Sequence, residues 1–252
     1  MKIGVADYGM GVWDGGSFDV EDRLEGLKGI GYEGIERLTA VSEADALHKS
    51  ARFRRLGMGF GYCRGPEPQA SIQWSAGLGR AYVWSDVASG RNEDFEVYCR
   101  RVNRQAEVCR KWGLRLGLHN HLGQRVQNHD EVVAFLKNCP EVGLVFDTGH
   151  LAAAGGDPVE IIRNYPDRLV VMHIKDWLVT APDVGLDQWP RRGHFCELGA
   201  GNLSGFSNAD VLRALQAVGY DGWIFVEHDT HLQEPLKDLA ISRRFIKEHS
   251  GW

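Results

Sequence analysis

Short apolar segments alternate along this chain with longer amphipathic segments. Apolar runs of about four to eight residues are typical of buried strands, whereas apolar residues spaced three or four apart are typical of helices. The strand pattern occurs at residues 3–6, 32–36, 57–62, 81–84, 114–118, 142–146, 169–172 and 223–226. The helix pattern occurs at residues 20–30, 42–56, 71–78, 92–112, 129–136, 209–217 and 232–248.

This alternation predicts an α/β fold, a single (β/α)8 TIM barrel in which residues 1–252 form one domain. The active site of such a barrel lies at the C-terminal ends of its strands. An open doubly wound sheet is the competing architecture, but the first strand is not followed by the GxGxxG motif expected of a dinucleotide-binding sheet. Residues 177–207 show no clear pattern, and irregular segments of such length usually carry function.

Single residues mark several helix boundaries. Gly31 follows the first helix, where a left-handed conformation commonly ends a helix. Ser42 is the expected N-cap of the second helix. Asp157 and Pro158 form an N-cap and first-turn pair that predicts a further helix.

Polar residues cluster where the last four strands end, and these ends meet at one mouth of a barrel. Each residue alone is more typical of a hydrogen-bonded or capping role, but their occurrence on successive strands favours a metal site. Imidazole and carboxylate ligands together suit Mn²⁺, Co²⁺, Fe²⁺ or Zn²⁺ better than Ca²⁺ or Mg²⁺. We therefore expect one divalent ion, with the ligands His119, Asp147, His173 and Glu227.

Two neighbours of these ligands are also candidates. Alternation along the fifth strand places His119 and His121 on one face and Asn120 on the other. Lys175, two residues after His173, either contacts substrate or forms a salt bridge with Asp176.

Composition narrows the classes of partner. The net charge of −5 gives no broad basic surface for nucleic acid, and no run of 18 apolar residues predicts a membrane span. The first residues read as a strand without a signal-peptide core, and the five cysteines are scattered, which favours reduced thiols in the cytoplasm. Surface helices of barrels often pair, so a homodimer stays open, although no patch in the sequence identifies one.

Several stretches resemble the xylose isomerase-like TIM-barrel superfamily of sugar phosphate isomerases, epimerases and dehydratases. The resemblance begins at the opening strand and GYEGIE (31–36), and it is densest from residue 114 onward. The stretches that carry it there are FDTGHLAAAGGDP (146–158), HIKD (173–176), LGAG (198–201) and VEHD (226–229). Together they are specific for the superfamily but not for a substrate.

The resemblance implies roles for individual residues. Asp147, His173 and Glu227 match three metal ligands of the epimerases, and His150 matches a residue that contacts substrate oxygens. His119 departs from that pattern, because the epimerases have a glutamate there and use two ligand glutamates as paired acid and base. The stretch HNHLG (119–123) instead resembles inosose dehydratase, which eliminates water next to a ketone. This departure favours a dehydratase or lyase over an epimerase.

The implied chemistry is removal of a proton α to a carbonyl of a keto-sugar or keto-polyol. Glu227 and His121 are the candidate bases, and Lys175 or His150 could protonate the leaving group or hold an oxygen. Trp13 and Trp177, like Trp84 and Trp189, lie in or beside predicted loops where an indole could stack on a sugar, or they could simply pack. Glu197 in the long loop could reach the site, and a substrate without phosphate is preferred because no cluster of Ser, Gly and Arg marks a phosphate site.

Three alternatives accompany the dehydratase hypothesis. A sugar isomerase or epimerase would return the proton to carbon instead of eliminating a group. A metal-dependent hydrolase of the endonuclease type resembles the same superfamily, but it uses more ligands and the acidic balance disfavours DNA. A binding protein that kept the barrel is disfavoured, because a buried group of imidazoles and carboxylates is costly without a cation.

Overall fold

The computed structural model describes residues 1–6, 19–229 and 233–252. The strands are β1 (Lys2–Val5), β2 (Gly34–Thr39), β3 (Gly59–Arg64), β4 (Tyr82–Trp84), β5 (Arg115–His119), β6 (Gly143–Asp147), β7 (Leu169–Ile174), β8 (Asp176–Val179), β9 (Gly193–Cys196) and β10 (Trp223–Val226). The helices are α1 (Val20–Ile30), α2 (Glu43–Leu56), α3 (Pro68–Gly77), α4 (Phe95–Lys111), α5 (His129–Asn138), α6 (Thr148–Ala153), α7 (Pro158–Asn164), α8 (Trp189–Arg192), α9 (Asn208–Ala217) and α10 (Pro235–Ser250).

Eight parallel strands form the barrel in the order β3-β2-β1-β10-β7-β6-β5-β4. The first and last barrel strands pair directly, with Val5 opposite Val226, so the sheet curls back on itself. At the remaining seam, between β3 and β4, the rings of Tyr62 and Tyr82 lie 5.6 Å apart. The nearly closed barrel, surrounded by helices, confirms the predicted TIM-barrel fold, while the assignment of residues 1–252 to one domain stays a prediction.

Local signals in the sequence explain several helix boundaries. Ser42 and Asp94 accept hydrogen bonds from the first-turn amides of α2 and α4, which leaves fewer amides without partners. Gly31 ends α1 with φ of 101°, a conformation that residues with a Cβ rarely adopt. Asp157 caps α7, with Pro158 as its first residue, as predicted.

Small residues on the strands give large side chains room inside the barrel. A Cβ on Gly4 would lie 2.7 Å from the ring of Phe225, which is itself fully buried. A Cβ on Gly61 would lie 2.4 Å from the hydroxyl of Tyr82. The interior is therefore a packed core and not a channel.

The structure differs from the predicted elements in two places that matter for the site. The segment 177–207, predicted to be irregular, contains the antiparallel hairpin β8–β9 and the short helix α8. Its strands have four residues each, too few for a clear alternation. Helix α6 begins directly after β6, in a stretch of small residues that carries little helical pattern. Within the described residues, no helix is long and apolar enough to span a membrane.

Candidate functional site

The four predicted ligands converge at the mouth of the barrel. His119 and Asp147 end β5 and β6, His173 lies near the end of β7, and Glu227 follows β10. One ligand atom from each lies within 4.8 Å of the others. Asp147, His173 and Glu227 are buried, and the His119 side chain is 11% exposed. The structure thus brings together four residues that are far apart in the sequence.

Asn120 and the helix that follows β6 hold Asp147 in place. The Asn120 side chain accepts a hydrogen bond from the Asp147 amide at 2.9 Å and donates one to its carbonyl at 2.8 Å. The Asp147 Oδ1 atom accepts from the His150 amide at 2.8 Å as the N-cap of α6. The other oxygen, Oδ2, lies 3.3 Å from Nε2 of His119. One carboxylate oxygen is therefore used for structure, and the other faces the cluster.

Glu36 on β2 orients His173, and the sequence analysis gave this glutamate no role. Its Oε2 atom lies 2.9 Å from Nε2 of His173, while its Oε1 atom accepts hydrogen bonds from Trp84 at 2.7 Å and Tyr82 at 3.1 Å. The Nδ1 atom of His173 lies 2.9 Å from Oε2 of Glu227. Glu36 is fully buried, and its place at the end of the predicted strand 32–36 was the signal in the sequence that could have identified it.

The contacts among His173, Glu36 and Glu227 determine which of these groups are charged. Burial alone would favour a neutral His173, but Glu36 and Glu227 raise its pKa to about 10. Burial likewise opposes ionisation of Glu36, yet the neighbouring His173 imidazolium and Arg37 lower its pKa. The carboxylates of Glu36 and Glu227 and the imidazolium of His173 thus stabilise one another in the interior.

Lys175 is fully buried within the same cluster. The sequence predicted for it either a contact with substrate or a salt bridge with Asp176. The buried Lys175 ammonium lies 3.0 Å from Asp147 and 2.6 Å from Glu227. Asp176 is not its partner, which corrects the predicted salt bridge, because that carboxylate accepts hydrogen bonds from the Gly199 and Trp177 amides. Burial opposes the charge of Lys175, but the neighbouring carboxylates raise its pKa above the ordinary value.

Imidazole and aromatic rings pack against one another beside the site. The rings of His121 and His150 lie 3.7 Å apart, and Phe195 and Trp189 pack around His150. Burial, and next the neighbouring His119, lower the pKa of His121 to about 4, so this imidazole is neutral at pH 7. Nε2 of His150 is buried and makes no hydrogen bond within the part of the chain that the structure describes.

A cavity of about 300 Å³ opens over the cluster. His119, His121 and Glu227 line it, which confirms that the two histidines face the same side. The ring of Trp84 stacks on His119 with centroids 4.6 Å apart and forms part of the wall. Residues that the sequence analysis did not assign complete the lining: Arg37, Gln124 and Asp229.

The donor set fits a divalent transition metal. Two imidazoles and two carboxylates reach one point from rigid strand ends, and the mixture of N and O ligands suits Zn²⁺, Mn²⁺, Co²⁺ or Fe²⁺. The far nitrogen of His173 donates a hydrogen bond to the Glu36 carboxylate, and this is the arrangement that orients a histidine ligand. The residues present could therefore hold the ion that the sequence predicts.

Comparison with known proteins identifies the family. Residues 69–249 match the family model described as xylose isomerase-like TIM barrel. The chain belongs to this family. An inosose dehydratase of Lactiplantibacillus plantarum is 30% identical over 67% of this chain, and the match covers 59% of that protein. The chain therefore spans less than two thirds of the length of this curated relative.

Solved structures of the xylose isomerase-like fold superpose on nearly the whole chain. The probable 3-DHS dehydratase AsbF of Bacillus anthracis is 12% identical, with a TM-score of 0.77 over 98% of this chain and 99% of its own. The IolI protein, solved with a binding zinc atom, is 15% identical, with a TM-score of 0.71 over 100% of this chain and 98% of its own. At these identities the likeness shows the fold.

The remaining predicted residues of this xylose isomerase-like barrel lie apart from the cavity or outside the described residues. Trp13 falls outside the described residues. Trp177 is fully buried and packs edge-on against Phe195, with centroids 4.6 Å apart, so its contacts are those of a packing residue within the β8–β9 hairpin. Glu197 lies within 3.5 Å of the Gln233 side chain and is absent from the described lining of the cavity.

Proposed function

We propose that this chain is a divalent-metal-dependent enzyme that removes a proton α to the carbonyl of a keto-sugar or keto-polyol. Within that class we assign it as a dehydratase or related lyase. The observation that carries the proposal is the convergence of His119, Asp147, His173 and Glu227 within 4.8 Å beneath a cavity of about 300 Å³. A volume of this order accommodates a ligand the size of a monosaccharide.

Two features support elimination. The curated relative that matches over 67% of this chain is an inosose dehydratase. His119 stands where the resembling epimerases carry a glutamate, so the site lacks their symmetrical pair of acid and base residues. The IolI protein, whose fold this chain shares, was solved with a binding zinc atom, which supports a metal in this chain as well. When bound, the ion supplies Lewis acidity that makes the neighbouring C–H bond more acidic.

The residues of this chain divide the proton transfers between them. Glu227 or His121, which both line the cavity, accepts the proton from carbon; Glu227 is ionised because Lys175 and His173 outweigh its burial and lower its pKa. The C–O bond at the β position then breaks as the new C=C bond forms. Lys175 or His150 gives a proton to the departing oxygen, so a hydroxyl leaves as water.

An isomerase or epimerase is the second candidate. The specific observation in its favour is that His121 and Glu227, which follow the different strands β5 and β10, line the same cavity. If one of them accepted the proton and the other returned one to the opposite face, the product would be an epimer.

A metal-dependent hydrolase is the more distant alternative. A sugar or polyol substrate and the absence of a nucleic-acid partner remain part of the proposal, while the question of a homodimer stays open.

The test combines metal analysis with ultraviolet spectroscopy. Purified protein should contain or take up about one equivalent of Mn, Co, Fe or Zn, and an enone band should grow with inosose or a 3-keto-glucoside. Bound metal without the band, but with an epimerised product, would establish the isomerase instead. Failure to bind metal in titration would overturn the proposed function.

A further inference from the structure

Lys175 contacts three carboxylates at once. The role inferred from these contacts rests on the proposed function, because it concerns the same metal site. The Lys175 Nζ atom lies 3.0 Å from Asp147, 2.6 Å from Glu227 and 3.3 Å from Asp229. The first two are predicted metal ligands, but Asp229 lies outside the four-residue cluster. The ammonium thus connects the metal site with a carboxylate that lines the cavity.

The oxygens that Lys175 contacts are the ones that face the other ligands. Oδ2 of Asp147 is also the oxygen nearest His119, and Oε2 of Glu227 is the oxygen nearest His173. A divalent ion bound to these oxygens would lie within a few ångströms of the ammonium. Two cations so close in a buried site repel each other strongly, so each weakens the binding of the other to these oxygens.

The stem of Lys175 is fixed, which limits where its ammonium can go. A Cβ on Gly149 would lie 2.4 Å from Cγ of Lys175, so the stem packs directly on the helix α6 backbone. Asn208 donates to the Lys175 carbonyl at 3.2 Å, and Nζ lies 4.4 Å from the centre of the Phe195 ring. Only the end of the side chain can turn, and Asp229 is the third carboxylate within its reach.

We propose that Lys175 is an internal counter-cation that competes with the metal for Asp147 and Glu227. Without the ion, its ammonium neutralises two carboxylates whose burial would otherwise destabilise the fold. Metal binding displaces the ammonium from those two oxygens, and Asp229 retains it at the edge of the cavity. Asp229 is thereby a positioning residue that acts on the metal site through Lys175.

The test measures Mn²⁺ affinity of the full chain by calorimetric titration and chelator competition. Lys175→Met should bind Mn²⁺ at least about tenfold more tightly, because the ion no longer has to break charge-assisted hydrogen bonds. Asp229→Asn should bind it more weakly, because the displaced ammonium loses its remaining carboxylate. Lys49→Met is the matched control, because Lys49 pairs with Asp45 on the surface, and its affinity should equal that of the wild type.

The double variant Lys175→Met/Asp229→Asn shows whether Asp229 acts through the Lys175 ammonium or simply attracts the metal ion by its own negative charge. If Asp229 acts through the ammonium, Asp229→Asn should have no effect on affinity in the Lys175→Met background. An equal weakening in both backgrounds would overturn the assigned role of Asp229. Unfolding temperature in chelator should fall in Lys175→Met and recover with Mn²⁺, since the ion replaces the lost positive charge.

The outcomes also distinguish this proposal from the proposed function. Equal or weaker Mn²⁺ binding by Lys175→Met, with normal binding by the wild type, would overturn the competition and leave the metal enzyme standing. No binding by any variant would overturn both. If Lys175→Met does not fold, Asp229→Asn still decides, because unchanged affinity in that variant contradicts the proposal.

Discussion

Nε2 of His173 lies 2.9 Å from a carboxylate oxygen of Glu36, and this contact turns the opposite ring nitrogen toward the other predicted metal ligands. The two residues come from β7 and β2, which are separated in the sheet by β10 and β1. Glu36 itself is fixed by hydrogen bonds from Trp84 and Tyr82. The orientation of a predicted ligand is therefore set from across the barrel.

The first prediction concerns this contact. Glu36→Gln should lower metal affinity by about 10- to 100-fold, because an amide orients the imidazole less strongly and increases its basicity less than a carboxylate does. Chelator competition with Zn²⁺ or Mn²⁺ measures the change. Tyr82→Phe is the matched control, because it removes a hydrogen bond to the same glutamate while leaving the His173 contact intact. Equal affinities for wild type and Glu36→Gln would show that Glu36 does not act on the metal site.

The sequence predicted the barrel and the cluster because both depend on regular patterns. Apolar runs mark strands, and the C-terminal ends of parallel strands share one mouth, so polar residues at 119, 147, 173 and 227 could be placed together. Helix caps such as Ser42 and Asp157 were predicted for the same reason, since each acts on its own first turn.

The contacts that were missed depend on distances across the barrel. Glu36 and Arg37 lie in one strand, and nothing local indicates that the first reaches His173 while the second lines the cavity. Asp229 follows two residues after a predicted ligand, but its contact with Lys175 spans the gap between β10 and β7. Lys175 was assigned to its chain neighbour Asp176 as one alternative, whereas packing directs its side chain into the cluster.

The second prediction tests the base. Glu227→Gln should reduce kcat by at least about 100-fold, because it removes a carboxylate that lines the cavity and is ionised at neutral pH. Growth of the enone band measures turnover, and metal content is determined on the same sample so that loss of the ion is recognised. Glu248→Gln changes an exposed glutamate of α10 and should retain wild-type activity. Near-normal turnover in Glu227→Gln at full metal content would remove this residue from the mechanism.

The third prediction concerns the small residue beneath Lys175. Gly149→Ala should destabilise the fold by about 1–3 kcal/mol, because the new methyl group overpacks a filled interior. The Cβ would lie 2.4 Å from Cγ of Lys175. Gly29→Ala in α1 is the matched control: its Cβ would meet no atom within 4 Å, and the change should stabilise the helix by about 0.5–1 kcal/mol. Urea unfolding followed by circular dichroism measures both, and equal effects of the two variants would contradict the close packing.

The last prediction concerns the five cysteines, all of which are free and buried. Burial raises the pKa of Cys63 to about 11, and that of Cys109 and Cys196 to about 12, so the reactive thiolate is scarce at neutral pH. Ellman's reagent at pH 8 should therefore modify almost no thiol in folded protein and close to five after unfolding in guanidinium chloride. The unfolded sample is the internal control for reduced thiols. Rapid modification of one thiol in the folded protein would show that a cysteine is exposed, whereas fewer than five after unfolding would show that some are oxidised.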